Sequence, residues 1–141
     1  MKYVCFDIGS KRIGVAVSDP FLSMALPKET YWRKNIEKDV VALDEIAKKE
    51  NADVIVCGLP LNVDGTKSEQ TEFTEKFIEK LKGATKLKVV TADERYSTLE
   101  ARRVLLMADM SREKRKNYVD SIAASYILED YLKKLKNMGE I

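Results

Sequence analysis

The sequence predicts an α/β domain: a five-stranded mixed sheet, an antiparallel three-strand meander plus two parallel strands, flanked by helices. Three observations predict it. Two apolar runs, residues 2–6 and 13–18, are separated by a turn-forming Gly9-Ser10-Lys11. Val54-Ile55-Val56 is a short, continuously apolar stretch of the kind buried on both faces of a sheet. Between the later apolar runs lie segments whose large hydrophobic residues recur at helical spacing.

The elements follow in order. The first strand spans 2–6 and the second 13–18, with Asp19-Pro20 ending the second. Residues 25–31 form an extended segment that Pro27 restricts to the edge of the sheet. Ile36, Val40, Leu43 and Ala47 mark one stripe of a helix over 35–50. A strand over 53–57 stops at Gly58-Leu59-Pro60, and Asp64-Gly65 is a turn signal in the polar loop beyond it. Ser68 caps a helix carrying Phe73, Phe77 and Leu81 on one stripe, closed by Gly83. Residues 87–92 form the last strand, which runs into Asp93-Glu94-Arg95. Ser97-Thr98-Leu99-Glu100 is a capping box that opens a helix to about 107, and a final helix covers 113–136.

With 141 residues the chain suits one compact domain, 1–141. No apolar run approaches membrane-spanning length and no signal pattern begins the chain, so a cytoplasmic protein without a membrane partner is expected. Cys5 and Cys57 lie inside apolar runs and are expected as free, buried thiols. Histidine is absent altogether. That excludes Ser-His and Cys-His nucleophiles and leaves carboxylates as the hard-metal ligands. The net charge of +2 is neutral on the question of nucleic acid, although Arg102-Arg103, Arg112 and Lys114-Arg115-Lys116 crowd one region.

Acids gather at three places. Asp7 ends the first predicted strand, where it serves a metal or, as the simpler alternative, an Asx turn. Asp93 and Glu94 end the last strand, and the carboxyl ends of parallel strands share one rim of the sheet. Adjacent strand residues point to opposite faces, so only one of these two acids can share a face with Asp7. Asp120 lies between Ile127 and Tyr131 on the helical wheel and therefore faces the core. A buried carboxylate there needs a cation, either a metal ion or a nearby Arg or Lys in a salt bridge. Three such acids around Mg²⁺ or Mn²⁺ suit activation of water against a phosphodiester.

Four segments carry a family resemblance. They are Asp7-Ile8-Gly9-Ser10-Lys11-Arg12-Ile13-Gly14-Val15-Ala16; Gly58-Leu59-Pro60-Leu61-Asn62 with Asp64-Gly65-Thr66; Asp93-Glu94-Arg95 with Ser97-Thr98 and Ala101; and Lys116 with Val119-Asp120 and Ala123-Ala124. In this order they span almost the whole chain, which resembles the YqgF (RuvX) family of resolvase-like nucleases in the ribonuclease H-like superfamily. The resemblance implies a ribonuclease H-like sheet with a central first strand, metal-dependent cleavage of nucleic acid and a role in maturing the 5′ end of pre-16S ribosomal RNA. Carried over by position, Asp7 matches the strand-one acid and Asp120 the helix acid. Glu94 is the favoured second acid, with Asp93 as its alternative. Junction resolvases place their second acid near the end of the fourth strand, where this chain has Gly58-Leu59-Pro60, a segment expected to shape a loop near the substrate.

In this reading Asp7, Glu94 and Asp120 hold Mg²⁺ or Mn²⁺ and are the catalytic acids. Lys11, Arg12 and Arg95 lie beside them in sequence as phosphate clamps, and Lys67, Arg102 and Arg115 extend the basic footprint. Tyr96 offers a ring for an unpaired base. The partner is a ribosomal RNA precursor or branched DNA, and the protein is a monomer or homodimer. The alternatives are a Holliday-junction resolvase and a non-catalytic module binding RNA or a transcription complex. An ATP-binding role, known for the Asp-x-Gly turn elsewhere in the superfamily, needs a second domain that 141 residues do not supply.

Overall fold

A computed structural model describes residues 1–62, 64–94 and 112–141, with the backbone alone for 112–118. Five strands, β1 (Tyr3–Ile8), β2 (Arg12–Ser18), β3 (Ala25–Trp32), β4 (Val54–Pro60) and β5 (Lys88–Glu94), form one sheet in the order β3-β2-β1-β4-β5. The β1/β2 and β2/β3 pairs are antiparallel, and β1/β4 and β4/β5 are parallel. This is the predicted mixed sheet with a central first strand. The predicted helix over 97–107 lies outside the described residues.

Alternation along β1 splits the interior into two layers. Val4, Phe6 and Ile8 point one way and pack with Ile13, Val15, Val17, Ile55 and Cys57. Helices α1 (Ile36–Lys49) and α2 (Glu69–Ala84) cover that layer with Val40, Leu43, Ala47, Phe77, Ile78 and Leu81. Tyr3 and Cys5 point the other way, with Ala16, Val54, Val56 and Ala92. There α3 (Arg112–Asn137) supplies Ala124, Ile127, Leu128, Leu132 and Leu135. Both cysteines are free and buried, and burial pushes the Cys57 thiol up to about 12.

Local chemistry sets the element ends. Asn35 caps α1 by accepting the Lys38 amide at 3.0 Å. Ser68 caps α2 in a reciprocal box with Thr71, whose hydroxyl also donates to the Pro60 carbonyl and ties α2 to the end of β4. Gly83 does not close that helix; it continues to Ala84 and ends on Thr85. β4 likewise passes through Gly58 to Pro60, because β5 pairs with it along that whole length.

A buried polar hub braces the turn between β1 and β2. Asp39 of α1 is fully buried and accepts from the Tyr31 hydroxyl at 2.9 Å, the Lys34 amide at 2.9 Å and Arg33 Nε at 2.8 Å. Arg33 also donates to the Gly9 carbonyl at 3.1 Å and lies over the Phe73 and Phe77 rings of α2, 5.2 and 5.0 Å from their centroids. Burial alone would raise the Asp39 carboxyl, but its hydrogen bonds and the Arg33 charge outweigh that and hold it below its usual value. Asp39→Ala leaves the guanidinium buried without its counter-ion, so urea unfolding should show a loss of about 3 kcal/mol.

Candidate active site

Asp7 sits inside β1, not at its end, because the strand runs on to Ile8. Its cross-strand partner is Gly14 on β2. Paired residues share a face, and Asp7 alternates with Cys5 and Tyr3, so its side chain belongs to the layer under α3. Gly14 is where α3 meets the sheet. A Cβ there would lie well under 3.0 Å from the backbone carbonyl oxygen of Asp120. Only a residue without a side chain lets the helix backbone descend this far. The helix acid is thereby anchored one strand away from Asp7.

The phase of β5 separates the two adjacent acids. Ala92 packs under α3, so Glu94 shares its face and Asp93 belongs to the opposite one. Glu94 is half-buried and reaches back over β4: its Cγ is 3.7 Å from where a Cβ on Gly58 would stand. Gly58 does not shape an external loop. It lies within β4, and the same missing side chain admits Ile127 Cδ1 of α3, 2.9 Å from that Cβ position. By strand spacing, the Cα atoms of Asp7 and Glu94 are roughly 12 Å apart.

Burial pushes the Glu94 carboxyl up to about 7, with Asp130 next in effect, Lys134 opposing, and Asp7 and Asp93 adding to the rise. Asp93, Glu94, Asp130, Lys133 and Lys134 line a depression of about 210 Å³. Asp130 and Lys134 escape a reading that follows strand ends alone. Lys134 does carry a signal, since it falls a heptad after Ile127 and two after Asp120, on one stripe of the helix.

Asp120 reaches the rim with its charge already matched. Its Oδ2 is 2.9 Å from Arg12 Nε, which is the salt-bridge alternative open to this acid. Arg12 also lies over the Trp32 ring, 5.4 Å from its centroid. Lys11 is exposed in the turn, and its carbonyl accepts the Arg33 amide at 2.9 Å. Lys67 pairs at 3.0 Å with Glu75 of α2, the helix of the opposite face, and is not gathered with the acids. Arg95, Tyr96, Arg102 and the Arg115 side chain lie outside the described residues. Among the described residues, no group of three His, Cys, Asp or Glu side chains stands ready to hold one ion. Asp7 and Glu94 do fit a hard divalent cation in kind. They are oxygen donors on one face, and the Asp7 charge adds to the cost of ionising Glu94, which a cation would offset.

A family model described as RuvX, Holliday junction resolvase, matches residues 1–134. The chain belongs to the RuvX family. A relative from Clostridium acetobutylicum, named "Putative pre-16S rRNA nuclease", is 45% identical over 132 residues, covering 94% of this chain and 98% of the relative. One of the same name from Caldanaerobacter subterraneus subsp. tengcongensis is 44% identical over 138 residues, covering 97% and 99%. Among solved structures, this RuvX chain shares its fold with Thermus thermophilus RuvC bound to a Holliday junction substrate, at a TM-score of 0.59 and 11% identity over 99% of this chain and 97% of that one. The fowlpox virus Holliday junction resolvase matches with a TM-score of 0.59 and 21% identity over 96% and 100%.

The raised Glu94 has a cost that can be measured. The folded protein holds this proton up to about pH 7, whereas an unperturbed glutamate releases it near 4.5. Between those values the native state binds the extra proton, so stability falls as pH rises and stays lower above 7. Glu94→Gln should therefore gain about 1 kcal/mol in urea unfolding at about pH 8, after allowance for solvent screening, and nothing at about pH 4.

Proposed function

We propose that this RuvX protein is a metal-dependent nuclease that hydrolyses phosphodiester bonds in the pre-16S ribosomal RNA and acts in maturing its 5′ end. The observation that carries the proposal is the placement of Asp7 and Glu94 on one face of the sheet, beneath α3 and beside Asp120. The relatives' names supply the substrate class.

Asp7 and Glu94 would hold Mg²⁺ or Mn²⁺, a set consistent with ions that keep several waters and take only one or two carboxylates. The ion would supply a polarised water and neutralise charge on the cleaved phosphate. Glu94 must be ionised to serve, and a bound cation would favour the carboxylate that burial disfavours. Asp120 would be available to the same ion once a substrate phosphate competes for Arg12, since one guanidinium cannot serve both partners in full. Lys11, exposed in the neighbouring turn, adds positive charge for the same backbone.

The RuvX model's description keeps a second substrate, four-way DNA, in view. Glu94 favours it in one respect, because its side chain covers Gly58, part of the Gly58-Leu59-Pro60 segment that stands where the resemblance puts the second acid of junction resolvases. A labelled pre-16S fragment and a four-way junction, each incubated with Mg²⁺ or Mn²⁺, decide between them. Cleavage of the RNA by the native chain but not by Asp7→Asn supports the proposal. Equal cleavage by both proteins overturns it, and junction cleavage alone transfers the activity to DNA.

A further inference from the structure

Trp32 is the only tryptophan of the chain, and half of its surface is open to solvent. It ends β3, directly paired with Arg12 of β2. Since paired residues share a face, Trp32 stands on the α3 side, as Asp7 and Glu94 do, while its neighbour Tyr31 turns to the opposite layer and Asp39. The Arg12 guanidinium covers one side of the indole, 5.4 Å from the centroid, and is itself fixed by Asp120 at 2.9 Å. An exposed tryptophan braced from one side by an arginine is a stacking platform with a prepaid orientation. Two strand spacings and two residues put its Cα roughly 12 Å from that of Asp7. Glu94 lies about as far from Asp7 on the other side, so the acid is flanked by an acidic arm and an aromatic one.

We infer that Trp32, held by Arg12, stacks on an unpaired base next to the cleaved phosphate and selects single-stranded RNA over fully paired duplex. The inference rests on the nuclease reading above and narrows its substrate. A flat platform of this kind takes a base only when that base is splayed out of its helix, and stacking on an aromatic side chain tolerates any sequence. Arg12 links the two events: a phosphate that draws it from Asp120 leaves the other side of the indole changed as well.

The single tryptophan makes the test direct. Native full-length protein in EDTA is titrated with a short unpaired RNA and with a blunt duplex of equal length. Indole fluorescence and the anisotropy of a label on the RNA are read together. Quenching by the unpaired RNA at the same midpoint as binding, with little from the duplex, is the expected result. In cleavage assays Trp32→Ala should raise KM for single-stranded RNA about tenfold with kcat nearly unchanged, and Trp32→Phe should restore most of it. The fluorescence arm stands even if Trp32→Ala fails to fold. RNA binding without quenching, or equal quenching by duplex, overturns the inference and leaves the nuclease reading intact. Quenching that follows protein concentration rather than RNA assigns Trp32 to an interface between copies and also overturns it. Absence of both binding and cleavage removes this inference together with the function it rests on.

Discussion

Asp7→Asn lowers kcat for the RNA fragment by about 1,000-fold or more while the protein remains folded. The substitution keeps size and removes one charge, and losing a group that stabilises charge only in the transition state commonly costs this much. Asp7 is central in every relevant direction. Its partner Gly14 carries the Asp120 backbone, and its charge contributes to the raised Glu94 carboxyl. Removing that charge lets Glu94 ionise at slightly lower pH in the metal-free protein. Rate and melting curves measured on the same preparation check both halves, and a variant as active as the native chain would show the chemistry to lie elsewhere.

Among the described glycines compared, Gly14→Ala should be the most damaging substitution. The added carbon meets a backbone carbonyl, which has no rotamer to escape into. Either α3 lifts away or β2 bends, and both open the layer containing Cys5, Ala16, Ile127 and Leu128. The expected cost is about 3 kcal/mol or more, with a fall in melting temperature of about 10 °C. Gly58→Ala provides the contrast. There the obstacle is the end of the flexible Ile127 side chain at 2.9 Å, so the loss should be clearly smaller. Calorimetry on both variants separates a rigid obstacle from a yielding one.

Much of this was legible in the residues themselves. Alternating and continuous apolar runs announce the five strands, and Pro27 places β3 at an edge, where the structure has it. The helical wheel turns Asp120 toward the sheet. The strand ends are less readable. Gly58 and Pro60 look like stops, yet pairing with β5 carries β4 through them. The choice between Asp93 and Glu94 is hidden for a related reason. Val89 and Val90 are both apolar, so β5 shows no alternation from which to count its phase, and only packing under α3 supplies it. Trp32 passes unnoticed because a tryptophan at a strand end reads as core until its exposure is known. Gly14 gives no warning either, since its role depends on a helix more than a hundred residues away.

At Gly14 the contact between α3 and β2 is main chain against main chain, with no side chain there to swell, shrink or rotate. The spacing of two acids is consequently inherited from peptide geometry, not adjusted by packing. Laboratory selection for faster turnover or a new substrate should accumulate its changes around Trp32 and the Lys11 turn, and leave this seam untouched.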